Sequence, residues 1–171
     1  MSRTVKALAI ASTALPLAVE ASTCHRESPA QTVALLELYA SKGCRSCPPA
    51  DRWLRELSQR FSAEQLIPHA LHVDYRDCIG RKDCFADRRF IERQKQVSRF
   101  SGGGTIHTQE VFAGMKGLRA WRSETELAER IRRFVGTPAA ASITLRMSSS
   151  GANAADVQAV SMPAPSRRRP L

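Results

Sequence analysis

The stretch "SKGCRSCPPAD", residues 41–51, constrains this chain more than any other. Cys44 and Cys47 stand two residues apart, and two prolines follow directly. Before them "TVALLELY", residues 32–39, is a short apolar run between polar residues and reads as a buried strand. After them Pro48 and Pro49 suit the first turn of a helix, where a missing N–H removes no bond. Trp53, Leu54, Leu57 and Phe61 then recur at helical spacing and predict a core-facing side. The two thiols therefore sit where a strand hands over to a helix.

Later segments extend the pattern. "LIPHALHVDY", residues 66–75, reads as a second strand with Pro68 near its start. His69 and His72 are three apart, so on a strand they face opposite ways and share no metal. After the polar loop "RDCIGRKDC", the run "FADRRFIERQKQVSRF" predicts a helix with Phe90, Ile91 and Val97 on one side, stopped by Gly102–Gly104. "TQEVFAG" and "GLRAW" predict a hairpin around Gly114 to Gly117. Ser123 with Glu126 makes a capping box for a helix burying Leu127, Ile131 and Phe134 or Val135, and Gly136 ends it. Strand, helix, strand, helix, hairpin, helix is the thioredoxin arrangement: an α/β fold with a central mixed sheet and flanking helices. The expected domain covers residues 30–137. "SITLRM" reads as the start of one more strand. Beyond it the composition turns to Ser, Ala, Gly, Pro and Arg, so residues 138–171 are expected to be a largely disordered, low-complexity tail.

The first 21 residues read as a signal peptide: Arg3 and Lys6, then an apolar stretch from Ala7 to Val19, then small residues. The stretch is too short and alanine-rich for a membrane span, which points to a periplasmic or secreted protein. Five cysteines suit that setting. The formal charge of +10 comes from scattered arginines with few aromatics between them, so it reads as a solvated surface, not a nucleic-acid platform.

At a helix start, free backbone N–H groups and the helix dipole favour negative charge, which lowers the pKa of a thiol placed there. Cys44 precedes the helix and is expected to be the more exposed thiol and the nucleophile. Cys47, in the first turn, resolves the mixed disulfide, and Lys42 and Arg45 add positive charge. Thiol–disulfide exchange with protein thiols or disulfides needs no bound cofactor. A zinc site wants four ligands, usually in two close pairs, and Cys78 and Cys84 do not supply the second pair. A copper or other soft-metal carrier using both thiols and His107 remains open, as does a purely structural bridge. Cys78 and Cys84 are expected to bond to each other and close the loop after the second strand, leaving Cys24 unpaired.

"LELYASKGCRSCPPAD", "HVDYRD", "GRKDCFADRRFIERQ" and "HTQEVFAG", in that order, resemble the blocks of a bacterial thioredoxin-like family catalogued as domain of unknown function 1223. The resemblance runs from about Val33 to Val135. It implies the fold and supports export, and it matches Cys44 and Cys47 to the family's cysteine pair. It also matches Glu37 to a glutamate at the end of the first strand, similar to the buried acid of thioredoxins. A carboxyl there could move a proton to or from Cys47, unless it is simply satisfied by backbone or an arginine. The family usually has a proline after "YT" in the loop facing the cysteines. Here "IHTQ" puts Thr108 in that place, with a trans bond expected because a non-proline cis bond costs about 3 kcal/mol. His107 and Thr108 are then the expected substrate contacts beside Cys44. Family members usually lack cysteines at 78 and 84, and commonly continue into a β-rich segment where this chain trails off. An inactive, shortened member is therefore a further reading.

Overall fold

The computed structural model describes residues 23–79, 81–151 and 154–164 of the 171-residue chain. The signal peptide expected over residues 1–21 lies outside the described residues. In chain order the elements are β1 (Thr23–Glu27), β2 (Ala34–Ala40), α1 (Cys47–Arg60), β3 (Leu66–His72), a 3-10 turn (Asp77–Ile79), α2 (Arg88–Phe100), β4 (Glu110–Ala113), β5 (Lys116–Gly117), α3 (Glu124–Val135), β6 (Ala141–Gly151) and β7 (Ala154–Pro163).

Strand β2 is the centre of a sheet in the order β3-β2-β4-β5. It pairs in parallel with β3, Ala34 opposite Leu66 through Ala40 opposite His72, and antiparallel with β4, Leu36 opposite Ala113 and Tyr39 opposite Glu110. A parallel pair needs a crossover, and α1 supplies it. This is the thioredoxin-like α/β arrangement the element order predicts. β2 is almost wholly apolar because both its faces are covered. Leu36, Leu38 and Ala40 pack with Ala50, Leu54 and Leu57 of α1 and Leu127 and Ile131 of α3. On the opposite face Tyr39 packs with Val73, Val97 and Phe112, joined by Phe90 and Ile91 of α2. Tyr39 and Phe112 meet edge to face, with ring centroids 5.9 Å apart.

Several boundaries move for local reasons. α2 begins at Arg88 instead of Phe85 because Asp87 caps it, accepting the Arg89 N–H, while the Phe85 N–H goes to Asp83 at 3.0 Å. Most of "GLRAW" is not strand. The hairpin turns through Gly114 and Met115, both at positive φ, as a two-residue turn between right-twisted strands requires.

The tail expectation does not hold. Residues 141–163 form β6 and β7, which join β1 in a sheet of order β1-β6-β7. Their side chains are mostly exposed, so this sheet rests on backbone pairing more than on an apolar core, and composition could not reveal it. The described residues divide into two compact units: Glu27–Ile143 with residues 161–164 holds the four-stranded sheet and the helices, while Thr144–Val160, most of β6 and β7, belongs to the other.

Gly114 combines a φ of 56° with a position where a Cβ would strike the Phe134 ring. Gly114→Ala is expected to cost about 2 kcal/mol or more in chemical denaturation, since strain and overpacking act together.

Candidate functional site

The chain leaves β2 at Ala40 and turns twice before α1. The Cys44 N–H donates to the Ser41 carbonyl at 3.0 Å and the Cys47 N–H to the Cys44 carbonyl at 3.3 Å. Cys44 and Cys47 are joined as a disulfide with their Cα atoms 5.4 Å apart. Both belong to the apolar cluster that contains Leu36, Leu38 and Trp121. Cys44 is 7% exposed and Cys47 1%. The expected ranking of the two holds, but Cys44 is largely covered and not open to solvent as its expected role suggested. The loop also packs tightly from outside: a Cβ on Gly43 would lie 2.7 Å from the Arg76 carbonyl oxygen.

Ser46 occupies the cap position of α1 but makes no capping bond with its side chain. A capping serine bonds the N–H of the second or third helical residue. Here those residues are Pro48 and Pro49, which have none. The freed hydroxyl lies 3.4 Å from Cys44 Sγ and can donate to it. The prolines thus remove two of the amide donors expected to hold a thiolate, and the Ser46 hydroxyl offers one in their place. Lys42 contributes less directly than expected. Its Nζ donates to Cys84 Sγ at 3.3 Å and stands 4.3 Å from the Phe85 ring centroid.

Asp83 ties this loop to β3. Its Oδ2 accepts the Lys42 N–H at 2.8 Å and lies 2.6 Å from His72 Nδ1, and its side chain is fully buried. Burial by itself would raise the Asp83 pKa. The Lys42 and Phe85 N–H groups and His72 outweigh it and hold the carboxyl below the ordinary aspartate value.

The bridge expected between Cys78 and Cys84 is not formed; both are free and exposed. Hydrogen bonds close the loop instead, the Asp83 N–H donating to Asp77 Oδ1 at 3.1 Å. Cys84 faces Lys42, while the Cys78 thiol lies 3.8 Å from the Tyr75 carbonyl. Cys24 is free and exposed in β1, as expected of the unpaired thiol.

Glu37 is buried but does not join the dithiol. Alternate residues of a strand face opposite sides, so Glu37 shares the side of Tyr39, away from Leu36 and Leu38, which share the cluster of Cys44 and Cys47. Arg93 of α2 holds it, Nε to Oε1 at 2.9 Å, and the Tyr39 hydroxyl donates to the same oxygen at 3.3 Å. Of the two readings of this acid, satisfaction by an arginine is the one the geometry supports.

Thr108 is buried and accepts from Arg76 Nε at 3.0 Å. As expected, the bond before Thr108 is not cis; the next one, Thr108–Gln109, is, one position beyond the place considered for a cis bond. His107 is exposed, with Nδ1 3.7 Å from a Glu110 carboxyl oxygen and its carbonyl held by Gln94 Nε2 at 2.9 Å. Arg76 thus touches both the dithiol loop and the loop carrying Thr108. Among the described residues, no three His, Cys, Asp or Glu side chains gather as a metal-ligand set, and no helix is long and apolar enough to cross a membrane.

Four residues of this region escaped the sequence reading: Asp51, Arg76, Asp83 and Gln94. Asp51 alone had a signal, since it interrupts the apolar side of α1 one turn after Cys47. The other three act through contacts distant in sequence.

Two outcomes follow from this geometry. Ser46→Ala is expected to raise the Cys44 thiol pKa by about one unit in a thiolate absorbance titration of the reduced protein with Cys24, Cys78 and Cys84 replaced by serine, the scale of one hydrogen bond to a charged group. Asp83→Ala is expected to cost about 3 kcal/mol in denaturation at neutral pH, because it strands the groups around a buried carboxylate. The Asp83 pKa is lower folded than unfolded, so its stabilisation is present above the unfolded value and is lost as pH falls through the folded one.

The crystal structure of protein AGR_C_4864 from Agrobacterium tumefaciens is similar to this chain, with a TM-score of 0.55 and 25% sequence identity over 71% of this chain. The present chain spans 58% of the length of that neighbour. No curated protein matches the sequence. The profile of the family described as "Protein of unknown function (DUF1223)" matches residues 35–169, reaching through β7 into the segment expected to be a tail. Matched over most of its length, this chain belongs to the DUF1223 family of proteins of unknown function.

Proposed function

We propose that this protein carries out thiol–disulfide exchange through Cys44 and Cys47, with protein thiols or disulfides as substrates, after export to the periplasm or beyond. The carrying observation is the disulfide between Cys44 and Cys47 at the junction of β2 and α1, with its residual exposure on Cys44.

In the reducing direction the Cys44 thiolate attacks one sulfur of a substrate disulfide. The substrate S–S bond breaks, its electron pair leaves on the second substrate sulfur, and a mixed disulfide joins Cys44 to the first. Cys47 then gives up its proton and attacks Cys44 Sγ, expelling the remaining substrate thiolate. The substrate gains two electrons and the protein ends as the Cys44–Cys47 disulfide. Oxidation of a substrate dithiol is the reverse sequence. The depth of Cys47 suits the resolving role, since it is reached from Cys44 and not from solvent.

A cleft of about 620 Å³ lies between the 101–105 loop and β4, lined by residues that include Gly102–Gly104, His107, Gln109 and Trp121. Trp121 also packs in the cluster that contains both cysteines. Glycine backbone, a side-chain amide and an aromatic ring are surfaces to which an extended chain segment can bond and stack. His107 belongs to this reading as a wall of the cleft, and Thr108, buried under Arg76, as a support.

The purified protein is expected to reduce insulin or to reoxidise a reduced secretory protein, and Cys44→Ser to abolish either activity. Cys47→Ser should accumulate a mixed disulfide with substrate that dithiothreitol releases. Absence of both activities from the wild type, with copper retained near stoichiometrically after dialysis, would replace this reading with that of a soft-metal carrier.

A further inference from the structure

Helix α1 carries an acid on its buried side. Cys47, Ala50, Leu54 and Leu57 are its buried residues, and the half-buried Asp51 falls four residues after Cys47 and three before Leu54, at the edge of the same stripe. Helical side chains lean toward the N-terminus, so Asp51 covers the turn that begins at Cys47. Side chains at this spacing are neighbours, with β-carbons about 5–6 Å apart. Asp51 Oδ1 is buried and has no hydrogen-bond partner. A buried polar oxygen is normally bonded, and an orphan on an otherwise apolar face destabilises the fold unless it has another use.

The groups facing it come from three elements. Burial pushes the Asp51 pKa up, His72 of β3 and Arg55 of α1 draw it down, and Asp83 of the loop after β3 pushes it up again; the result lies above the ordinary aspartate value. The other buried acids are committed: Glu37 to Arg93 on the far side of the sheet, and Asp83 to the Lys42 and Phe85 N–H groups and His72.

We propose that Asp51 is the proton donor and acceptor for the Cys47 thiol, an assignment that rests on the exchange reading above. When a thiolate attacks Cys44 Sγ, the Cys44–Cys47 bond breaks and its electron pair passes to Cys47 Sγ, which takes the proton from the Asp51 carboxyl. In the reverse step the Asp51 carboxylate removes the Cys47 proton, and the resulting thiolate attacks Cys44 Sγ and expels the substrate thiolate. Cys47 is 1% exposed, so a carboxyl beside it replaces bulk water as the proton source.

The first measurement needs no turnover. Thiolate absorbance of Cys47 is titrated in the Cys44→Ala protein, with the free Cys24, Cys78 and Cys84 replaced by serine, with and without Asp51→Asn. Coupled groups titrate in two steps, and the expected result is that Asp51→Asn leaves one step at lower pH, because the opposing carboxylate is gone. Superimposable curves overturn the proposal. The second measurement is opening of the Cys44–Cys47 disulfide by dithiothreitol across acid to alkaline pH, corrected for ionisation of the reagent. Asp51→Asn is expected to slow opening at least about tenfold on the acid side and to erase the inflection, as loss of a general acid does. Asp51→Glu should restore both, and it carries the test through a shifted inflection if Asp51→Asn does not fold. A wild-type profile in Asp51→Asn overturns the proposal. A wild type that shows the Asp51-dependent profile with dithiothreitol but acts on no protein would sink the functional reading and leave the role of Asp51 standing.

Discussion

Strand β2 is covered on both faces, and the alternation of its side chains sorts the rest of the molecule. Leu36, Leu38 and Ala40 look toward α1 and α3, and with them lie both cysteines. Tyr39, and Glu37 beside it in the strand's period, look toward α2. A charged residue in such a strand must find a partner on its own side, and Arg93 is that partner. The strand therefore offers no free carboxyl to the face that carries the dithiol, and the acid four residues after Cys47 comes from helix α1.

The start of α1 shows how a local rule is modified by its neighbours. A helix beginning after a cysteine favours a thiolate through free amides and dipole. Pro48 and Pro49 pre-shape the first turn but supply no N–H, so part of that stabilisation is absent. The same absence leaves the Ser46 hydroxyl without an amide to cap and lets it turn to Cys44 Sγ. Lys42, expected to act as a bare positive charge, instead braces the loop: its backbone N–H is held by Asp83 and its ammonium by Cys84 and the Phe85 ring. The loop is positioned chiefly by hydrogen bonds to a buried carboxylate, which explains why it needs no second disulfide between Cys78 and Cys84.

Legibility differed by kind of residue. Helical spacing identified Leu54 and Leu57 of α1, Val97 of α2, and Leu127 and Ile131 of α3, because each sits on a stripe whose period is intrinsic to its own helix. The cysteine pair was legible because its spacing and its place after a strand are both local. Glu37 was recognised as important, but the choice between its two readings was not legible, because which face it takes depends on what packs there. The start of β6 was legible in "SITLRM", but its far half and β7 were hidden by composition, since a sheet with exposed side chains leaves little hydrophobic pattern to read. The cis bond at Thr108–Gln109 left no trace in residue type.

What the sequence by itself determined is the order of elements from β2 to α3, the α/β class and the location of the thiol pair, because these follow from periodicity and backbone stereochemistry over a few residues. Only the tertiary structure decided which acid shares a face with Cys47, that Cys44 is mostly covered, that Asp83 and His72 anchor the loop, and that Cys78 and Cys84 stay apart. Those outcomes turn on contacts between residues far apart in the chain. Burial and partner choice there are set by the packing of whole elements, which no short window of sequence contains.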